Sequence, residues 1–162
     1  RLIDIGVEHF LVSSTVTSAL NQRLIRKVCS SCAEEYVPTM VEMLDIGIDK
    51  EIADDILKEP QIFSMRRGKG CSSCRKTGYY GRQGVYELIT VTPLIREMIH
   101  LRKGSEEIIS AAREADSVNM IFEEGLRLFL TGMTTLGELQ ALPRGDYKLK
   151  SPADILNDAE IQ

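Results

Sequence analysis

The four cysteines of the chain stand in two pairs of identical spacing, and they constrain its fold more than any other feature. Cys29 pairs with Cys32 and Cys71 with Cys74, and each pair encloses two serines. Two Cys-x-x-Cys turns supply the four thiolate ligands of a closed tetrahedral zinc site. Residues 33–70 separate the pairs, a longer insertion than the about 15–20 residues of the shortest zinc ribbons, but loop-closure entropy grows slowly with length. We therefore predict a structural Zn²⁺ bound by all four cysteines, with no open coordination position for catalysis.

The second pair lies in a basic, glycine-rich stretch, RRGKGCSSCRKTGYYGRQGVYEL, at residues 66–88. Nearby cations offset the negative charge of four metal-bound thiolates, which gives the basic residues a local role. The glycines match neither G-x-x-x-x-G-K-[ST] nor G-x-G-x-x-G, so turns explain them better than phosphate binding does. The alternative function is a zinc-ribbon module that binds nucleic acid, with bases stacked on Tyr79 and Tyr80 and a steep inverse salt dependence. Its basic residues would be Arg66, Arg67, Lys69, Arg75, Lys76 and Arg82.

Disulfides and a catalytic dithiol are the other interpretations of paired cysteines. A disulfide framework is typical of small secreted domains that lack a core, whereas 162 residues that are 43% hydrophobic can bury one. A redox Cys-x-x-Cys opens a helix within a βαβ pattern, and that pattern is missing around both pairs. Both interpretations fit the sequence less well than structural zinc does.

Charge and composition exclude several broad classes. The net charge is −4, which argues against a surface that binds nucleic acid throughout. No apolar run is long enough to span a bilayer. His9 and His100 are distant from the cysteines in sequence and are predicted to be structural or surface side chains. No Ser/His/Asp set or isolated carboxylate pair stands out, so we predict no catalytic residue.

The first half of the chain mixes helical and extended patterns. Residues 7–28 are mostly apolar, with a helix predicted to start at 13–15 and an apolar stripe that continues to the first cysteine. Two short amphipathic segments follow at 37–48 and 49–60, punctuated by proline and glycine. Residues 61–65 and, more clearly, 83–90 have the composition of strands. The apolar stripe before the first cysteine consists of Leu20, Leu24, Ile25 and Val28.

After residue 92 the periodicity becomes helical, and the fold class is predicted to be α+β, mainly helical. Thr92 followed by Pro93 predicts a helix start, and Thr135 with Glu138 has the spacing of a capping box that opens a short helix. The longer predicted helices cover residues 93–104, 105–115 and 119–131. We expect residues 93–142 to form a small helical bundle, and for the tail at 143–162 an extra helix and a loose end are equal alternatives.

Three blocks in this order resemble a known family. They are RLIDIGVEHFLVSSTVTSALNQRLIRKVCSSC at 1–32, GCSSCRKTGYYGRQGVYELITVTPLIREMI at 70–99 and EEGLRLFLTGMTTLGEL at 123–139. The chain resembles the C-terminal part of the hexameric ATPases that drive type II secretion and type IV pilus assembly, over about residues 1–142. Two places depart from the family pattern: the first cysteine turn has Ser30 where the family has proline, and SVNMIFEEG lacks the family's wording at that point.

The resemblance implies a division of labour within a longer protein. The nucleotide-binding motifs of that family lie upstream, so this segment is expected to be non-catalytic, with ATP and Mg²⁺ bound only by the full-length parent. It implies the end of a RecA-like core at 1–28 with a strand at 21–28, a tetracysteine zinc-binding lobe at 29–82, a strand returning to the core at 83–92, the helical bundle at 93–142 and a tail at 143–162.

The resemblance also implies partners and a location. The other subunits of a homo-hexamer and an inner-membrane platform protein are the expected partners, with no nucleic acid and no membrane insertion. The expected location is the cytoplasm, peripheral to the inner membrane. The implied role is to couple ATP-driven motion to these partners, and an oligomerisation domain without a mechanical role stays open as a third possibility.

Overall fold

A computed structural model describes residues 2–157, so Arg1 and residues 158–162 of the predicted tail lie outside the described part. The described residues form eight α-helices and two small sheets, an α+β arrangement. The helices are α1 His9–Thr15, α2 Met40–Asp45, α3 Lys50–Lys58, α4 Pro93–His100, α5 Ser105–Glu114, α6 Ile121–Leu130, α7 Leu136–Leu139 and α8 Pro152–Asn157. The strands are β1 Ser18–Val28, β2 Ala33–Glu35, β3 Arg66–Gly68, β4 Tyr79–Thr90 and β5 Val118–Asn119. None of the helices within residues 2–157 has the length and hydropathy needed to cross a membrane.

One sheet has the strand order β1-β4-β5, and the other is a two-stranded ribbon of β2 and β3. In the first sheet, β5 runs antiparallel to the end of β4, with Leu88 opposite Asn119 and Ile89 opposite Val118. In the ribbon, β2 and β3 are antiparallel and Ala33 lies opposite Gly68. The ribbon therefore pairs the residues just after the first cysteine pair with those just before the second.

The chain divides into two compact units. The first comprises the residues up to Asn21 and Tyr86–Met120, and the second comprises Gln22–Val85 and the described residues from Ile121 onward. Helices predicted as one bundle over 93–142 fall on both sides of this division, with α4 and α5 in the first unit and α6 and α7 in the second. The predicted domain boundaries themselves stay a prediction.

In the first unit, α1 packs on α4. The Arg96 guanidinium donates a hydrogen bond to the Ser13 carbonyl oxygen. The rings of His9 and His100 lie 5.5 Å apart, and the Arg102 guanidinium lies 3.0 Å from His9 Nδ1. Both histidines are thus engaged with helix packing in this unit.

The core of the second unit is built around α6. Apolar residues recur along this helix at intervals of three and four, which makes it amphipathic, and Phe122 and Phe129 are fully buried. Ile52 and Ile56 of α3 and Leu139 of α7 join the same cluster. Burial of each such side chain contributes about 1.5–3 kcal/mol, so this cluster is the main source of stability in the unit.

The predicted helix start at 13–15 is wrong, because α1 ends at Thr15 and the apolar stripe before the first cysteine lies in the strand β1, Ser18–Val28. Side chains alternate between the two faces of a strand, so Leu24 is 59% exposed whereas its neighbour Ile25 is 2% exposed. A strand does cover residues 21–28, as the family resemblance implied, and it begins three residues earlier.

The predicted strand at 61–65 is also wrong. Pro60–Ile62 form a 3₁₀ turn, in which Ile62 N–H donates to Glu59 O at 3.1 Å and Phe63 N–H donates to Pro60 O at 3.2 Å. Pro60 fixes its own φ and lacks an N–H, which suits the first position of such a turn, and the turn includes the first two residues of the predicted strand. The strand of this region, β3, begins at Arg66 instead.

The helices predicted after residue 92 are confirmed in type. Thr92 Oγ1 accepts a hydrogen bond from Ile95 N–H at 3.3 Å, with Pro93 as the first residue of α4. Residues 118–119 form the short strand β5, so α6 begins two residues later than predicted. Within the tail, the described residues include the helix α8.

Candidate metal centre

The four cysteine sulfur atoms come together in the second unit. Their Sγ atoms all lie within 4.8 Å of one another. The distance from Cys29 to Cys71 is 3.9 Å, that from Cys32 to Cys74 is 3.8 Å and that from Cys71 to Cys74 is 3.7 Å. All four are free cysteines, so the predicted ligand residues lie together as unbridged thiols.

Each pair is shaped by its own tight turn. In the first, Cys32 N–H donates to Cys29 O at 3.2 Å. In the second, Lys76 N–H donates to Cys71 O at 2.8 Å, and the backbone of Arg75 and Lys76 is left-handed, with φ of 52° and 64°. A redox dithiol stands at the start of a helix, and no helix begins at the second turn.

Backbone contacts bring the two turns together. Beyond the β2–β3 ribbon, Lys69 N–H donates to Cys32 O at 3.1 Å and Cys29 N–H donates to Gly78 O at 2.9 Å. Gly68 and Gly78 lie so close that a Cβ on Gly68 would be 2.1 Å from Gly78 O. Only glycine permits this approach, so the close contact of the two turns requires both glycines.

Backbone N–H groups point at the sulfur atoms. Cys32 Sγ accepts from Gly70 N–H at 3.3 Å, and Cys74 Sγ accepts from the N–H groups of Cys71 at 3.1 Å and Gly78 at 3.2 Å. The hydrogen bond from Cys71 N–H, aided by Gly78, lowers the pKa of the Cys74 thiol to about 6. Burial raises the pKa of Cys32 to about 11. The backbone N–H groups that donate to Cys32 and Cys74 stabilise the thiolate, which is the form of cysteine that binds metal.

The donor set fits a single soft metal ion. A tetrahedral site with metal–sulfur bonds of about 2.3 Å has sulfur–sulfur edges of about 3.8 Å, and the three distances given above lie between 3.7 and 3.9 Å. In the part of the chain that the structure describes, these cysteines form the one cluster of three or more side chains able to hold a metal ion. His9 and His100 are not part of it.

The basic residues around the cysteines are partly engaged in ion pairs. Glu34 accepts from Lys69 Nζ at 2.8 Å and from Arg67 Nε at 2.9 Å, and these two cations lower the pKa of its carboxyl group. Arg75 and Lys76 are exposed beside the second turn. The predicted offsetting of thiolate charge therefore falls more on Arg75 and Lys76 than on Arg67 and Lys69.

The two adjacent tyrosines have different environments. The Arg26 guanidinium lies 4.0 Å from the centre of the Tyr79 ring, and the Tyr79 hydroxyl is 2.8 Å from Thr135 Oγ1. Tyr80 is 68% exposed. Tyr79 is therefore held by Arg26 and Thr135, whereas Tyr80 is largely exposed to solvent.

Sequence reasoning missed what Thr135 and Glu138 do. The predicted capping box is wrong: α7 does begin after Thr135, but the Thr135 side chain makes no cap hydrogen bond. Glu138 instead binds Arg26, whose backbone N–H lies 2.6 Å from Oε2 and whose Nη2 lies 2.7 Å from Oε1. No pattern in the sequence around Arg26 or Glu138 indicates that the two residues pair.

Comparison with known proteins gives a consistent result. The family model for type II/IV secretion system protein matches residues 1–141. A type II secretion system protein E of Pseudomonas aeruginosa is 33% identical over 144 residues, which are 89% of this chain and 26% of that protein. A type IV pilus assembly ATPase PilB of Thermus thermophilus is 36% identical over 141 residues, 87% of this chain and 15% of that protein. A type II secretion system ATPase E of Vibrio cholerae is 33% identical over 144 residues, with 89% and 26% covered.

The chain spans about a quarter, or less, of the length of the curated relatives that it matches. The family match nevertheless extends over most of its length, through both cysteine pairs and α7. On this evidence the chain belongs to the type II/IV secretion system protein family.

Proposed function

We propose that Cys29, Cys32, Cys71 and Cys74 bind one Zn²⁺ that has a structural role. The observation that carries this proposal is that four sulfur atoms lie within 4.8 Å of one another, with three of their separations, 3.7–3.9 Å, equal to the edge of a zinc tetrathiolate. All-thiolate tetrahedral sites select zinc or iron, and four protein ligands leave no position for a substrate. The zinc closes the two turns into one rigid element.

The metal content tests this directly. Protein purified under reducing conditions is expected to contain one zinc ion per chain, measured by plasma mass spectrometry after extensive dialysis. As a control, the protein is unfolded in the presence of a chelator and then refolded with or without added zinc. Only the sample refolded with zinc is expected to regain the native thermal transition. Metal-free native protein would refute the site, and one equivalent of iron with visible thiolate absorption would refute the choice of metal.

The second part of the proposal concerns the longer protein. Family membership, and relatives whose names include secretion and pilus-assembly ATPases, support a role as the C-terminal zinc-binding and helical region of such an ATPase. Its homo-hexameric core would bind ATP and Mg²⁺ in the cytoplasm. The segment would couple the resulting motion to neighbouring subunits and to the inner-membrane platform protein.

The cysteine region is well placed for such coupling. The first cysteine follows β1 directly, and the second pair is connected through Gly78 to the start of β4. Four metal–sulfur bonds would join the turn that follows β1 to the turn that precedes β4. The residues between the two strands would then move with them as a rigid body. A displacement of either strand would then reach the surface of the metal region without being absorbed by loop motion.

An uncoupling experiment tests this role. In a full-length protein that carries this segment beside a nucleotide-binding core, the double change Cys71→Ser and Cys74→Ser is expected to leave most of the ATP hydrolysis intact and to abolish secretion or piliation. The measurements are phosphate release by the purified protein and transport in cells that lack the native copy, with Ser73→Ala as the matched control in the same exposed turn. Transport at the normal rate in a zinc-free double variant would rule the coupling role out.

A further inference from the structure

The strand that leads to the first cysteine pair holds the connection between α6 and α7. We call residues 131–138, which comprise this connection and the first three residues of α7, the α6–α7 segment. Val28 N–H donates to Met133 O at 2.9 Å, and Thr134 Oγ1 donates to Arg26 O at 2.8 Å. Thr134 is fully buried, so loss of this acceptor would leave a hydroxyl group without compensation in the interior. The segment is therefore bonded to the end of β1 through both its backbone and a side chain.

A charged contact extends the same attachment. The Glu138 carboxylate accepts from Arg26 backbone N–H at 2.6 Å, and from Arg26 Nε at 2.9 Å and Nη2 at 2.7 Å. The side chain of Glu138 is 12% exposed. A two-pronged guanidinium–carboxylate pair fixes direction as well as distance, so α7 is oriented against the end of β1.

The strand that leaves the second cysteine pair holds the same segment from its own side. Tyr79 is the first residue of β4, and its hydroxyl lies 2.8 Å from Thr135 Oγ1. Its ring lies under the Arg26 guanidinium at 4.0 Å. The two strands that carry the cysteine turns thus meet at a common set of contacts on the α6–α7 segment.

The cysteine turns add a second link between β1 and β4, which are already neighbours in the sheet. Cys29, which follows β1, donates its N–H to Gly78 O at 2.9 Å, and Gly78 immediately precedes β4. The β2–β3 ribbon and backbone hydrogen bonds already join the turns, and a metal ion bound by both would add four metal–sulfur bonds that narrow the range of this spacing. The contacts from β1 and those from β4 to the α6–α7 segment can form together only when the spacing of the two strands is kept.

We infer that metal occupancy of the cysteine site controls the order of the α6–α7 segment, with Tyr79 and Arg26 as the positioning residues that transmit it. The inference rests on the proposed zinc site and adds a regulated element to it. Because coupling between two sites is reciprocal, contacts that zinc strengthens must in turn raise the affinity for zinc. Residues that touch no metal should then alter metal binding.

Zinc affinity of conservative variants provides the test. Tyr79→Phe keeps the ring under Arg26 and removes the hydroxyl, and Thr135→Val removes its partner while keeping the shape. Each is expected to bind Zn²⁺ about three- to tenfold more weakly in competition with a chromophoric chelator, the effect of one hydrogen bond. The double variant should be no weaker than either single variant, since both remove the same contact. Tyr80→Phe, at the exposed neighbouring position, is the matched control and should bind as the parent chain does.

Hydrogen exchange supplies the second readout. On removal of zinc with EDTA, peptides that cover 131–138 are expected to exchange faster, whereas those that cover α3 in the same unit should keep their protection. If α3 also loses protection, the variant affinities decide the question.

The inference is overturned if Tyr79→Phe and Thr135→Val bind zinc as tightly as the parent chain, or if exchange in 131–138 is unaffected by zinc that is shown to bind. Those results leave the zinc site itself intact. A chain that binds no zinc at all would overturn the proposed function and this inference together.

Discussion

Replacement of Cys74 by serine is expected to abolish stoichiometric zinc binding and to lower the free energy of unfolding by about 3–5 kcal/mol, as loss of a structural metal does. At about 2–4 °C per kcal/mol for a chain of this size, the fall in Tm is on the order of 10 °C. The effect is large because Cys74 is 4% exposed and its sulfur accepts two backbone N–H groups. A serine hydroxyl is a hard, neutral donor and a poor replacement for a thiolate on zinc.

Calorimetry and metal analysis of the same samples measure this effect. Ser73→Ala changes the exposed residue next to Cys74 and should leave both Tm and zinc content unchanged. Addition of EDTA should lower the Tm of the parent chain towards that of Cys74→Ser and have little effect on the variant. One zinc per chain in Cys74→Ser, or an unchanged Tm, would show that the four thiols do not act as one site.

Gly68→Ala should destabilise the protein strongly although the substitution adds one methyl group. Its Cβ would lie 2.1 Å from Gly78 O and 2.6 Å from Gly78 Cα, so backbone and not a flexible side chain would have to move. Overpacking of this kind costs about 1–3 kcal/mol, and separation of the two backbones would also break the contact between the cysteine turns. We therefore expect a fall in Tm of several degrees together with at least about tenfold weaker zinc binding, at 1.4 kcal/mol per tenfold change.

Gly137→Ala is the matched control for this prediction. Gly137 is exposed on α7, and an added Cβ would meet only Thr135 Oγ1 at 3.9 Å. Alanine is the better helix former, so this variant should be as stable as the parent chain or slightly more stable. Equal Tm values for Gly68→Ala and Gly137→Ala would contradict the proposed close approach of the two turns.

Local patterns predicted the elements whose causes are local. Thr92 and Pro93 mark the start of α4 because a cap and a pre-set φ act within one turn of helix. The same reasoning failed at residues 61–65, where apolar composition suggested a strand and Pro60 made a 3₁₀ turn. It failed again at Leu20 and Leu24, because a short apolar series does not by itself distinguish helix from strand.

Contacts between distant residues were not predictable from the pattern. The two residues of β5 form a strand only because they pair with β4. Glu138 has the spacing of a capping residue, yet its carboxylate binds Arg26, 112 residues away in the sequence, since a guanidinium held in place outcompetes a local N–H. Neither partner is marked by anything in its own neighbourhood.

The sequence by itself determined which residues can bind a metal, because four cysteines in two equally spaced pairs carry their chemistry wherever they lie, and its order of motifs determined the family. Only the tertiary structure decided that the four sulfur atoms lie within 4.8 Å of one another, that Gly68 and Gly78 touch, and that Tyr79 and Arg26 contact the α6–α7 segment. The physical reason is that ligand chemistry belongs to single residues, whereas the spacing of two turns is set by a ribbon, a core and hydrogen bonds contributed by the whole second unit.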